Sequence, residues 1–225
     1  MLNNSQVEFL SKICDLDVYK YGDLIISVNN RKHKSAIIKH DYNDFKFNMG
    51  LSDLRFDWLL TDKIYLSGGC VLNWVWNENK NEDYDFFFTN PDSARNFRSL
   101  ISNYGFEETS ETKYALTCFN REEGLILQVI GGAGKEKKDE VFNGFIPHGT
   151  PEETINRFDI NVCRFAVDGD NIYFTTSAVM DLINRVVKTT QDKYNTKERI
   201  VKYNQKGFYI PNPEAQPVVD TDGWY

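Results

Sequence analysis

Two periods of apolar residues divide the chain, one of about two and one of about 3.6. The clearest stretch is Ile64–Phe88: an apolar run breaks at Ser67-Gly68-Gly69, an aromatic-rich segment follows, and Asp83-Tyr84-Asp85 leads into three phenylalanines. This predicts strand, glycine turn, helix, strand. Successive strand side chains alternate faces, so Asp83 and Asp85 share one side about 6.6 Å apart along the chain, with Tyr84 and Phe86 on the other. Two adjacent carboxylates repel each other unless a cation lies between them.

Upstream, Ser5–Leu16 has helical spacing, with Ser5 as the expected N-cap. The β-branched runs 23–28 and 35–39 flank a polar turn and predict a hairpin, and Leu51–Leu60 predicts a helix. Downstream, Asn90-Pro91 starts a helix whose apolar positions are Ala94, Phe97, Leu100 and Ile101, with Gly105 at its left-handed end. Residues 114–119 and 125–130 predict a hairpin, and 131–149 a glycine- and charge-rich loop. Thr150-Pro151-Glu152-Glu153 is a capping box opening a short helix. Phe158–Phe165 alternates like a strand that turns at Asp168-Gly169-Asp170 and returns over 172–174; that turn lacks the further acids of a calcium loop. Helices are expected from Ser177 to Lys188 and Thr196 to Lys206, before a proline-containing tail.

The expectation is an α+β (α/β) fold, a mixed sheet flanked by helices with a small helical C-terminal part. Residues 1–60 would form an N-terminal adornment packed on the core, 61–176 the core and 177–225 the C-terminal helices and tail. With 225 residues, 41% of them hydrophobic, the chain can bury a sizeable core. A net charge of −7 gives no general attraction for polyanions, so any nucleic-acid partner needs a local basic patch. The four cysteines stand singly, without the spacing of a zinc site or a disulfide framework. No apolar run of membrane-spanning length occurs, and the start of the chain lacks a secretory pattern, so a cytoplasmic protein without a membrane partner is expected.

Ser67-Gly68-Gly69 followed by Asp83-Tyr84-Asp85 resembles the DNA polymerase β superfamily of nucleotidyltransferases, in which a strand ends in Gly-Gly or Gly-Ser and Asp-x-Asp lies on the next strand. The resemblance covers about Ile64–Phe174. Phe158-Asp159 and Arg199-Ile200-Val201-Lys202-Tyr203…Gly207-Phe208 are similar to small stand-alone members in phage and large-virus genomes. It implies magnesium-dependent transfer of a nucleotidyl group from a nucleoside triphosphate to an acceptor hydroxyl, releasing pyrophosphate. Two ions about 3.5–4 Å apart would relieve triphosphate charge and activate the hydroxyl. Asp83 and Asp85 would hold them, and Ser67, Gly68 and Gly69 would receive the triphosphate beside a helix N-terminus.

A third carboxylate usually comes from a further strand. The corresponding run Leu125–Ile130 offers Gln128, and Asp159 is the next acid available as metal ligand or general base. Arg185, Lys188, Lys202 and Arg199 are candidates to line the nucleotide cleft, although cations on terminal helices are commonly solvated. Trp74 and Trp76 read as packing residues. The acceptor stays open between tRNA or other RNA, protein and a small molecule. The alternative is a nucleotide-binding or interaction protein that keeps the fold with little or no turnover.

Overall fold

The computed structural model describes residues 2–21, 24–28, 35–76, 83–112, 114–131, 147–190 and 196–211. The expected loop over 131–149 and the tail after Pro211 lie largely outside these residues. An eight-stranded mixed sheet runs β3 (Ile37–Asp41), β10 (Asn171–Thr175), β9 (Phe165–Val167), β4 (Ile64–Ser67), β5 (Asp83–Phe88), β8 (Leu125–Ile130), β7 (Ala115–Asn120) and β6 (Glu107–Glu111). β5 and β8 form its parallel pair; the other neighbours are antiparallel. A separate ribbon pairs β1 (Asp17–Tyr21) with β2 (Leu24–Val28).

The sequence of β5 explains its central place. Tyr84, Phe86 and Phe88 enter the main core, where Phe86 meets Phe97 at 4.5 Å between ring centroids. Phe97, Ala94 and Ile101 are the buried stripe of α4 (Pro91–Ser102), whose start is fixed by the Ser93 N–H donating to Asn90 Oδ1. On the opposite face Phe87 joins Tyr65, Ala166, Tyr173 and Ile155 in a smaller cluster. Ile155 belongs to α5 (Pro151–Asn156), opened by the Thr150/Glu153 capping box and tied to the sheet where Tyr65 donates to the Gly149 carbonyl at 2.7 Å.

The main core is continuous from one end of the described chain to the other. It takes in Val7 and Leu10 of α1 (Asn4–Cys14), Phe45 of α2 (Tyr42–Met49), most of α3 (Gly69–Val75), Leu182 of α6 (Thr176–Ile183), and Ile200 and Tyr203 of α7 (Thr196–Gln205). β3 adds an edge to the same sheet.

Several local expectations are corrected. The first helix is capped by Asn3 in a capping box with Gln6, not by Ser5. The runs 23–28 and 35–39 do not pair: β2 turns back on β1, and β3 crosses to β10, because the sheet supplies Ile37 and Ile38 with a partly covered edge. Leu51–Leu60 holds only a 3-10 turn at Asp57–Leu59, since Phe56 takes φ +70°, outside the helical region. Phe158–Phe165 is not a strand until Phe165: Arg164 donates back to the Phe158 carbonyl, and Asn161 bonds Asp181, folding the segment into a 3-10 turn. α6 stops at Ile183; Arg185 at φ +53° redirects the chain so that Val187 donates to Tyr209 O.

Phe86 is fully buried, with the Phe56 and Phe97 rings near it. Phe86→Ala is expected to cost about 3–5 kcal/mol of unfolding free energy, measured by urea denaturation, because the site beneath a central strand collapses poorly.

Candidate active site

At the end of β4 the chain is fastened before it turns. Ser67 Oγ donates to the Phe165 carbonyl at 2.7 Å, and the Gly68 N–H donates to the same oxygen at 3.1 Å. The Ser67 hydroxyl is thus buried and committed to the sheet. Gly68 has φ +84° and ψ −136°, a conformation that side chains disfavour. A Cβ there would stand 3.6 Å from the Phe158 ring and 4.0 Å from Asp85 Oδ2. The glycine turn therefore abuts the Asp85 carboxylate. Gly69 opens α3, and a Cβ on it would meet the Tyr203 hydroxyl at 3.6 Å.

Asp83 is exposed, while Asp85 is partly covered and its Oδ1 is fully enclosed without a hydrogen-bond partner. Burial first, then the Asp83 charge, raises the Asp85 pKa from 3.8 to about 7, with Arg199 and Lys202 partly opposing the rise. This is the donor chemistry of a hard divalent cation: two carboxylates on one strand face, one oxygen unpartnered, beside a turn without side chains. In the parallel register Asp85 sits opposite Gln128, which shares its face. Gln128 contributes an amide oxygen but no charge. Among the described residues no group of three or more His, Cys, Asp or Glu gathers to hold a metal. Asp159 is 2% exposed and accepts from Arg199 Nη1 at 2.5 Å.

α7 closes the other side. Arg199, Lys202, Tyr203 and Lys206 recur at i, i+3, i+4 and i+7, one helical face. Arg199 holds Asp159, Lys206 Nζ donates to Asn73 of α3 at 2.7 Å, and the buried Tyr203 hydroxyl accepts from the Cys163 thiol at 2.9 Å. Burial holds the Tyr203 phenol well above its usual range. The other two candidate cations are used differently. Lys188 Nζ donates to the buried Asp181 at 3.0 Å, and the Arg185 guanidinium lies over the Trp76 ring at 5.9 Å. The glycine turn, Asp83, Asp85, Lys202 and Arg199 thus gather at one place. Asp159 joins through Arg199, whereas Lys188 is tied to α6. Sequence reasoning quoted Tyr203 only as part of a motif, gave it no place in the site and missed the Lys206–Asn73 tie; the helical spacing of residues 199–206 carried the signal.

Solved structures of CCA-adding enzymes share this architecture. The complex with ATP matches at TM-score 0.55 and 16% identity, covering 78% of this chain and 44% of that one. The complex with CTP gives 0.55 and 16% over 77% and 42%, and an apo form 0.50 and 16% over 76% and 46%. Identity this low carries the likeness of fold alone, and the chain spans less than half the length of these enzymes. No curated protein matches the sequence. The model of one family, described as Gabija anti-defense 2 family protein, matches residues 2–185, most of the sequence and every strand around the acidic pair, and the chain belongs to that family.

Proposed function

We propose that the protein is a magnesium-dependent nucleotidyltransferase that moves a nucleoside monophosphate from a nucleoside triphosphate to an acceptor hydroxyl and releases pyrophosphate. The observation that carries this reading is the unpartnered Asp85 oxygen, beside Asp83 and against the side-chain-free turn at Gly68. Asp83 and Asp85 would hold the metal, which supplies charge relief on the triphosphate and a more acidic acceptor hydroxyl. Gly68 and Gly69 leave room for phosphate oxygens, and Lys202 and Arg199 add positive charge from α7. Arg199 also donates to Asp159 at the edge of the site, where Asp159 is the candidate among the described residues for a third ligand or a base. The CTP and ATP complexes of the structural relatives are in keeping with nucleotide as substrate. The family's description supports a role for the reaction in disabling a defence termed Gabija.

A second reading has its own support. Among the described residues, Gln128 lies opposite Asp85 and Asp159 is committed to Arg199, which favours nucleotide binding with little turnover. The two readings differ in pyrophosphate release. With α-labelled triphosphate and a host lysate, the transferase labels an acceptor and Asp83→Asn abolishes the labelling; nucleotide-dependent thermal stabilisation without pyrophosphate supports the binder.

Metal-free protein carries a further signature. The raised pKa means that between about pH 4 and 7 folded Asp85 keeps a proton that the unfolded chain has released, so stability falls as pH rises through that window. Asp85→Asn should therefore melt higher than wild type at pH 8, by on the order of 2 kcal/mol, with the gain fading toward pH 4. In calorimetry with a chelator, an equal difference at both pH values contradicts this account. Added magnesium should raise the wild-type midpoint at pH 8 and leave the variant unmoved.

A further inference from the structure

Behind the candidate site stands a buried acid that the proposed reaction leaves unused. Asp181 of α6 is wholly enclosed, and both of its oxygens are bonded: Asn161 Nδ2 donates to Oδ2 at 2.6 Å and Lys188 Nζ to Oδ1 at 3.0 Å. Burial raises its pKa, while the bonds from Asn161 and Lys188 oppose the rise. Asn161 is buried as well. Its Oδ1 accepts from Ser177 Oγ at 2.9 Å, and its N–H donates to the Lys188 carbonyl at 2.9 Å. One carboxylate thus ties the 3-10 turn at Asn161–Cys163 both to α6 and to the segment after it.

The stretch containing that turn meets the site at three points. At its start the Phe158 ring lies 3.6 Å from where a Cβ on Gly68 would stand. Asp159 follows and accepts from Arg199, the α7 cation that also acts on Asp85. At its end the Cys163 thiol donates to the Tyr203 hydroxyl, which lies 3.6 Å from the Cβ position of Gly69. Thr190 reinforces the start: its N–H donates to the Asp159 carbonyl and its hydroxyl to the Phe158 carbonyl, each at 2.7 Å. Phe158, Asp159 and Cys163 therefore reach the site from a length of backbone whose middle is held by Asp181.

A buried ion pair is a poor source of stability, because desolvation offsets much of its attraction and apolar side chains of similar volume often serve as well. Its directional bonds do something that apolar packing does not: they fix how the joined groups face each other. We propose, building on the nucleotide-and-metal site of the transferase reading, that Asp181 is a positioning residue. Through Asn161 it sets residues 158–163 against the glycine turn and Arg199, and so sets the geometry in which nucleotide and magnesium are received.

The test measures, in the full chain with magnesium, the affinity for a nucleoside triphosphate whose α–β bridging oxygen is replaced by methylene, by calorimetry well below the melting point of each variant. Asp181→Asn leaves an amide that accepts from Asn161 or from Lys188 while its NH2 group faces the other donor, and affinity is expected to fall about tenfold. Asn161→Asp sets two carboxylates face to face and is expected to do the same. The double variant Asn161→Asp/Asp181→Asn exchanges the groups, so that an amide again donates to a carboxylate, and affinity should return to within about twofold of wild type. Ser177→Ala removes one bond to Asn161 from a half-buried position and should weaken binding about threefold. Phe106→Leu, beside the edge strand β6, lowers stability without touching residues 158–163, and its affinity should match wild type. Unchanged affinity in Asp181→Asn, or in Ser177→Ala where the buried variants do not fold, overturns the inference and leaves the transferase reading standing. Failure of the double variant to recover, or an equal loss in Phe106→Leu, does the same. Wild type that binds no nucleotide with magnesium overturns the inference and the transferase reading together.

Discussion

The constraint on which the site depends is the enclosure of one carboxylate oxygen with nothing to bond it. Burying an ionised group without a partner is costly, and the chain holds Asp85 in this position by means that leave little freedom elsewhere. Its strand cannot move, because Tyr84, Phe86 and Phe88 anchor the other face in aromatic packing. Its neighbour favours glycine because Gly68 takes φ +84° and ψ −136°, a conformation that side chains disfavour, and its bare backbone lies against Phe158 and the carboxylate. The resulting electrostatic tension is the kind that a bound cation relieves.

α7 gives the site a second character. The same helical face that brings positive charge toward Asp85 also fixes Asp159 and braces α3 through Asn73. Charge compensation and architecture therefore share residues. A substitution at Arg199 alters both the potential at the acids and the packing of the segment around Asp159.

Much of this was legible from residue order alone. The period-two alternation in Asp83–Phe88 fixed which side chains shared a face, and the glycine pair marked the turn. The 115–130 hairpin and the Thr150 capping box are likewise local signals, and they read correctly. What was illegible depended on partners distant in sequence. β3 pairs with β10, about 130 residues away, so Ile37 and Ile38 looked like half of a nearby hairpin. Phe158–Phe165 has the apolar alternation of a strand, yet Ile160, Val162 and Cys163 are all buried, and Arg164 and Asn161 bend the segment through bonds that no local pattern reveals. Gln128 stood out as a missing acid, but its place opposite Asp85 needed the parallel register.

The hydrogen bonds that pin Ser67 and Gly68 to the Phe165 carbonyl span 98 residues for Ser67, and Tyr203 reaches Gly69 from still further along the chain. Contacts of such long range must await closure of large loops, and they form late compared with hairpins and helices. During synthesis the acidic pair emerges from the ribosome well before the residues that shape the turn beside it. A nascent chain that has displayed Asp83 and Asp85 lacks the far wall around them until α7 is made, so the surroundings of the acidic pair are complete only when nearly the whole described fold exists.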